Sequence, residues 1–179
     1  PAMARIQPIR QRLGVRTIFN LMGPLSNPAR VERQLIGIAR PAYVPIYAAA
    51  KAKLGTALTF IASGDEGLDE LSLAGGNELA VVAGNDFEMR RVSADNAGLP
   101  HAPVEAIRGG DAGHNAKALQ ALLMGAPGPY RDAVCFNAAA TLIVAGRTSD
   151  WSEGAAMAAE ALDSGSAQTL LKRWVEMAH

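Results

Sequence analysis

Asp65, Glu66, Asp69 and Glu70 crowd four carboxylates into six positions of "GDEGLDELS" (64–72), in a chain whose charged residues make up only 19%. Hard divalent cations take oxygen ligands, and magnesium characteristically uses one or two carboxylates together with substrate phosphates and water. Asp69 and Glu70 suit that role best. Leu68 and Leu71 bracket them and should anchor the pair, while Asp65 and Glu66 are expected to hang further out. A solvated turn is the plain alternative, because acids are ordinary residues at strand ends.

Arg10 is the second candidate. Met3, Ile6, Arg10 and Leu13 recur at helical spacing and form one stripe that Gly14 should end, which sets a guanidinium on an apolar face. It could hold a carboxylate bidentately, snorkel to solvent, or enter an internal ion pair. In "GPLSNPA" (23–29), Gly23 and Pro24 begin a rigid turn, which either closes the chain or brings backbone close to a flat ligand. "RGGDAGHN" reads as an Asp111 helix cap, with an anion cradle as the other option.

The usual nucleophile and nucleotide signatures are missing. There is no G-x-S-x-G, no P-loop and no G-x-G-x-x-G, and His101, His114 and His179 lack metal-ligand spacing. Cys135, the single cysteine, precludes an internal disulfide, sits in an apolar run, and fits a reducing, cytoplasmic setting. Seventeen Lys plus Arg balance seventeen Asp plus Glu, so bulk charge points to neither nucleic acid nor a membrane surface. No apolar run approaches the ~18 residues of a membrane span.

The elements that would position these groups follow from periodicity. "RQLIGIA" (33–39), "YVPIYAAAKAKLG" (43–55) and "ALTFIAS" (57–63) read as strand, helix, strand, hence a parallel pair whose carboxyl ends face the ligand. The acidic run begins at that end. "ELAVVAGNDFEMRRV" reads as an antiparallel hairpin added to the sheet. Asp111 should open a helix to Met124, "PYRDAVCFNAAATLIVAG" a buried helix, and "DWSEGAAMAAEALDSG" and "SAQTLLKRWVEMA" two amphipathic ones. The expected fold is α/β, with a mostly parallel sheet flanked by helices. Residues 1–28 form a helical segment and 29–179 the α/β domain.

"IRQRLGVRTIFNLMGPLSNPA", "GDEGLDELS", "RGGDAGHNAKAL" and "GPYRDAVCFNAAATLIVAG", in this order and spacing, resemble the carboxy-terminal half of the anthranilate phosphoribosyltransferase family of tryptophan biosynthesis. The resemblance covers essentially the whole chain. It implies that residues 1–28 belong to an amino-terminal helical domain and 29–179 to a glycosyltransferase-type domain, and that the full-length enzyme is a homodimer. It implies that Asp69 and Glu70 bind Mg2+, that Arg10 contacts the anthranilate carboxylate, and that Gly23 and Pro24 line the anthranilate tunnel. The implied reaction joins the anthranilate amine to C1 of 5-phosphoribosyl 1-diphosphate and releases pyrophosphate, with no protein nucleophile. The family's glycine-rich diphosphate loop and its other donor contacts belong to the half not present here, so the chain is expected to be an inactive fragment whose residues 1–28 are exposed and either drive self-association or become disordered. Where the family often has histidine before the motif's glycine, this chain has Ser63. The alternatives are a pyrimidine nucleoside phosphorylase-like enzyme, which would use phosphate without the metal pair, and a relative turned to nucleic-acid binding.

Overall fold

The computed structural model describes residues 2–14 and 22–178, with the side chains of 2–6 and 10 left out of the description. Two compact units are distinguished, Pro1–Val31 and Glu32–His179.

In the first unit, helix α1 spans Ala2–Leu13 with Pro8 inside it and ends before Gly14, as the spacing predicts. Leu13 of the apolar stripe is 55% exposed. Gly23–Leu25 form a single 3-10 turn. Pro24 suits its first positions because its fixed φ matches and its missing N–H would have no partner there.

The second unit is built on a four-stranded sheet in the order β1 (Arg33–Gly37), β2 (Thr56–Gly64), β3 (Asn77–Gly84), β4 (Asp86–Val92). Helix α2, Val44–Leu54, joins β1 to β2, and those strands pair in parallel with Leu35 beside Phe60 and Gly37 beside Ala62. The α/β class holds, but within this chain the sheet is mixed rather than mostly parallel: β2–β3 and β3–β4 are antiparallel. The connections explain this. A parallel partner needs a crossover of a dozen or more residues, usually with a helix, whereas Ala83 pairs with Asp86 across a two-residue loop. Gly84, the first loop residue, takes φ 62°, as the tight hairpin turn requires.

Alternation along the strands sends Phe60, Ala62 and Leu79 to one face. Helix α4, Pro129–Val144, covers that face with Ala133, Phe136, Ala139 and Ala140. It is the buried helix expected from its all-round apolar sequence. Trp151, which opens α5 (Trp151–Asp163), stacks on Phe60 with ring centroids 6.1 Å apart and tilts against Phe136 at 5.6 Å. Helices α4 and α5 pass closely at Gly154, where a β-carbon would sit 3.0 Å from the Ala139 Cα. Helix α2 packs across β2, β3 and β4, so the alternate residues Ile61, Ala80 and Val82 are buried too.

Helix α3, Ala112–Leu123, is capped by Asp111, whose carboxylate accepts from the His114 N–H at 2.8 Å, which is the structural reading of "RGGDAGHN". Helix α6, Ser166–Met177, has the expected amphipathic pattern but no buried residue, and Leu170 and Trp174 of its apolar face are 64% and 71% exposed. Among the described residues no helix is long and apolar enough to cross a membrane.

Candidate functional site

The acidic run leaves the carboxyl end of β2 and folds back on itself before β3 begins. Gly67 N–H donates to the Gly64 carbonyl at 2.9 Å, Gly64 N–H to the Leu68 carbonyl at 2.9 Å, and Asp65 N–H to the Gly76 carbonyl at 3.1 Å. Its four carboxylates divide into two that are structural and two without a partner among the described residues. Asp65 receives both arms of Arg91, at 2.8 and 2.5 Å, and Arg91 also reaches Glu78 at 2.8 Å. Hydrogen bonding from Arg91 holds the Asp65 carboxyl below the usual carboxylate range against an opposing effect of burial. Glu66 accepts a short hydrogen bond from the Ser72 hydroxyl. All four acids are exposed, so Asp65 and Glu66 do not stand further out than the other two, and it is they that fasten the loop.

Asp69 and Glu70 are exposed, and among the described residues neither has an ion-pair or hydrogen-bond partner for its carboxylate. Leu71, immediately after them, is 1% exposed and anchors the pair in the core, while Leu68 on the other side is half-buried. Both acids line a cleft of about 810 Å³ between the carboxyl ends of β1 and β2 and helix α4. Gly37, Ala62, Ala133 and Val134 give it an apolar wall, and Arg108 is the cation on its rim.

The donor chemistry fits magnesium. Two adjacent oxygen ligands, uncommitted and open to solvent, match an ion that completes its shell with water and phosphate oxygens. Among the described residues no group of three or more His, Cys, Asp or Glu could hold a metal unaided. The pair therefore suits an ion shared with a phosphate-bearing ligand better than a closed protein cage.

The loop's remaining supports are two asparagine amides. Leu71 N–H donates to Asn137 Oδ1 at 2.9 Å, and Asn137 Nδ2 donates to the Leu71 carbonyl at 2.9 Å and the Ala133 carbonyl at 3.0 Å. One residue on, Ser72 N–H donates to Asn77 Oδ1 at 2.7 Å and Asn77 Nδ2 returns to the Ser72 carbonyl at 3.1 Å. Farther along, His101 holds the chain after the loop, with Nδ1 3.0 Å from the Leu73 carbonyl and Nε2 3.1 Å from Asp95.

The "Glycosyl transferase family, a/b domain" model matches residues 1–168. The chain belongs to this glycosyl transferase family. It is 79% identical over 178 residues to the anthranilate phosphoribosyltransferase of Erythrobacter litoralis, covering 99% of this chain and 54% of that protein. Among solved structures, anthranilate phosphoribosyltransferase from Thermus thermophilus superposes with a TM-score of 0.89 at 39% identity, over 98% of this chain and 52% of that one. The Saccharomyces cerevisiae anthranilate phosphoribosyltransferase in complex with PRPP and Mg also gives 0.89, at 27% identity, over 97% and 50%. The chain spans about half the length of the relatives it matches.

Within this glycosyl transferase chain, Asp69 and Glu70 come together on one loop. Arg10 falls within α1, but its side chain lies outside the described residues, and Gly23 and Pro24 lie in the 3-10 turn of the first unit. Sequence reasoning passed over Asn137, Asn77 and Gly37. Asn137 does carry a signal, since an amide is a poor helix former yet interrupts the apolar run "CFNAAA".

Proposed function

We propose that this chain contributes the metal-binding part of an anthranilate phosphoribosyltransferase site, which transfers the phosphoribosyl group of 5-phosphoribosyl 1-diphosphate to the amine of anthranilate and releases pyrophosphate. The observation that carries the reading is the uncommitted Asp69–Glu70 pair on the wall of the cleft. The identity to relatives of that name supports it.

In this reaction the bond from C1 to the diphosphate oxygen breaks, the anthranilate nitrogen bonds to C1, and the amine proton passes to the released pyrophosphate or to solvent water. The difficulty lies in charge, because the leaving group departs as a concentrated anion while the sugar becomes cationic. Asp69 and Glu70 would hold Mg2+, which as a Lewis acid neutralises the departing diphosphate. Arg10 would pair its guanidinium with the anthranilate carboxylate, and Gly23 and Pro24 would border the aromatic ring. No side chain need act as nucleophile.

On this reading residues 1–28 belong to a helical domain through which the complete enzyme forms a homodimer, residues 29–179 form the catalytic α/β domain, and the enzyme works in the cytoplasm. Donor contacts beyond the metal are assigned to the other half of the complete enzyme. Turnover is expected from the chain joined to that half, and not from these 179 residues alone.

Calorimetric titration of the complete enzyme with 5-phosphoribosyl 1-diphosphate tests the assignment. Tight binding should require Mg2+ and be lost when Asp69→Asn and Glu70→Gln are combined. Equal donor affinity with a chelator present, or in the double variant, would refute it.

A further inference from the structure

Glu70 is held through both of its peptide groups. On its amino side, the Asp69 carbonyl rests against Gly37 of β1 with no room for even a β-carbon between them. On its carboxyl side, the Leu71 N–H shares a rigid peptide plane with the Glu70 carbonyl, and that N–H is the one bound by Asn137. The Asn137 amide then returns a proton to the Leu71 carbonyl and spends its other on Ala133, so all its donors are used. The two contacts restrain the backbone on both sides of Glu70 while its side-chain torsions stay open. Such an arrangement fixes a ligand before the cation arrives.

We propose that Asn137 is a positioning residue for the Asp69–Glu70 pair, setting its affinity for a divalent cation bound with a phosphate ligand. The inference rests on the metal reading above and goes one layer beyond it. An amide in the middle of an apolar helix is costly in propensity, and Asn137 lines the same cleft as the two acids. Groups that orient metal ligands typically change affinity by about 10–100-fold when removed. The orienting contact here is to backbone, so it acts on where the Glu70 Cα sits and leaves the carboxylate free.

The test is Mn2+ titration with pyrophosphate as the phosphate probe, followed by electron paramagnetic resonance and water-proton relaxation. In the complete enzyme it compares the parent, the Asp69→Asn/Glu70→Gln double variant, Asn137→Ala, Asn137→Asp, and Phe136→Leu as a core change on the same helix. The parent should bind and the double variant should not. Asn137→Ala should bind about 10-fold or more weakly with an altered bound-Mn2+ spectrum, and Phe136→Leu should match the parent despite lower stability. If Asn137→Ala fails to fold, Asn137→Asp replaces it, since its carboxylate can still accept from Leu71 N–H while losing the donors, and a smaller fall in affinity is expected. Asn137 variants that bind like the parent while the double variant does not would overturn the positioning role alone. A parent indistinguishable from the double variant would overturn the metal reading and this inference with it.

Discussion

Gly37 at the end of β1 and Asp69 in the acidic loop meet backbone to backbone, so closely that a β-carbon on Gly37 would overlap the Asp69 carbonyl oxygen. The contact ties a loop that follows β2 to the carboxyl end of its parallel neighbour. Its demand is for space, because any substituent must push the loop away or bend the strand.

Gly37→Ala should therefore cost about 1–3 kcal/mol, the usual range for overpacking a tight site. It should also weaken Mn2+ binding by the acidic pair. Urea unfolding together with Mn2+ titration would check both, and an unchanged midpoint would mean that the loop yields freely.

Asp69→Asn combined with Glu70→Gln should leave stability within about 0.5 kcal/mol, because exposed groups without partners contribute little to the folded state. Asp65→Asn should behave in the opposite way. It removes the Arg91 clasp, worth at most about 0.2–1 kcal/mol for a pair this exposed and smaller in high salt, and it leaves metal binding in place. Paired melting curves and metal titrations would separate the two kinds of acid.

Bonding to Asp95 raises the His101 pKa above its ordinary value, and the same bond, then Ser93, lowers that of Asp95. The histidine's contribution is whole below about pH 6.5 and is lost as pH rises through its raised folded value. The aspartate's is whole above about pH 3.9 and is lost as pH falls through its lowered folded value. The pair should thus stabilise most between those limits. An NMR titration should place the His101 midpoint above 6.5, and His101→Gln should lose less stability than the parent as pH rises from about 5.5 to about 8.5, a range that spans the histidine titration.

Phe136 is fully buried and touches the Trp151 ring, so Phe136→Ala should cost about 3–5 kcal/mol. Emission from Trp151 should shift to the red as water reaches the vacated space. A melting temperature within a few degrees of the parent would contradict the central place of this contact.

Strand β2, helix α4 and the 84–85 hairpin were legible because each announces itself locally: a branched apolar run, an all-round apolar stretch, and Gly-Asn between alternating residues. The leucines on either side singled out Asp69 and Glu70 in the sequence, and the fold buries Leu71 but only half-buries Leu68. The sheet's mixed character was less so, since the direction of β3 depends on a loop without a crossover helix and not on any property of β3 itself. Helix α6 shows the reverse case, with a clear amphipathic pattern of which Ala167 packs on the Leu162 cluster while Leu170 and Trp174 stay exposed.

By itself the sequence determined which residues could bind a cation, where helices and strands begin, and which faces are apolar, because these depend on side-chain chemistry and short-range periodicity. Only the tertiary structure decided which two of the four acids are left without a partner among the described residues. Arg91 lies 26 positions beyond Asp65, and Asn137 lies 66 beyond Leu71. Contacts across such distances come from folding, which alone brings one amide and one glycine to opposite sides of Glu70.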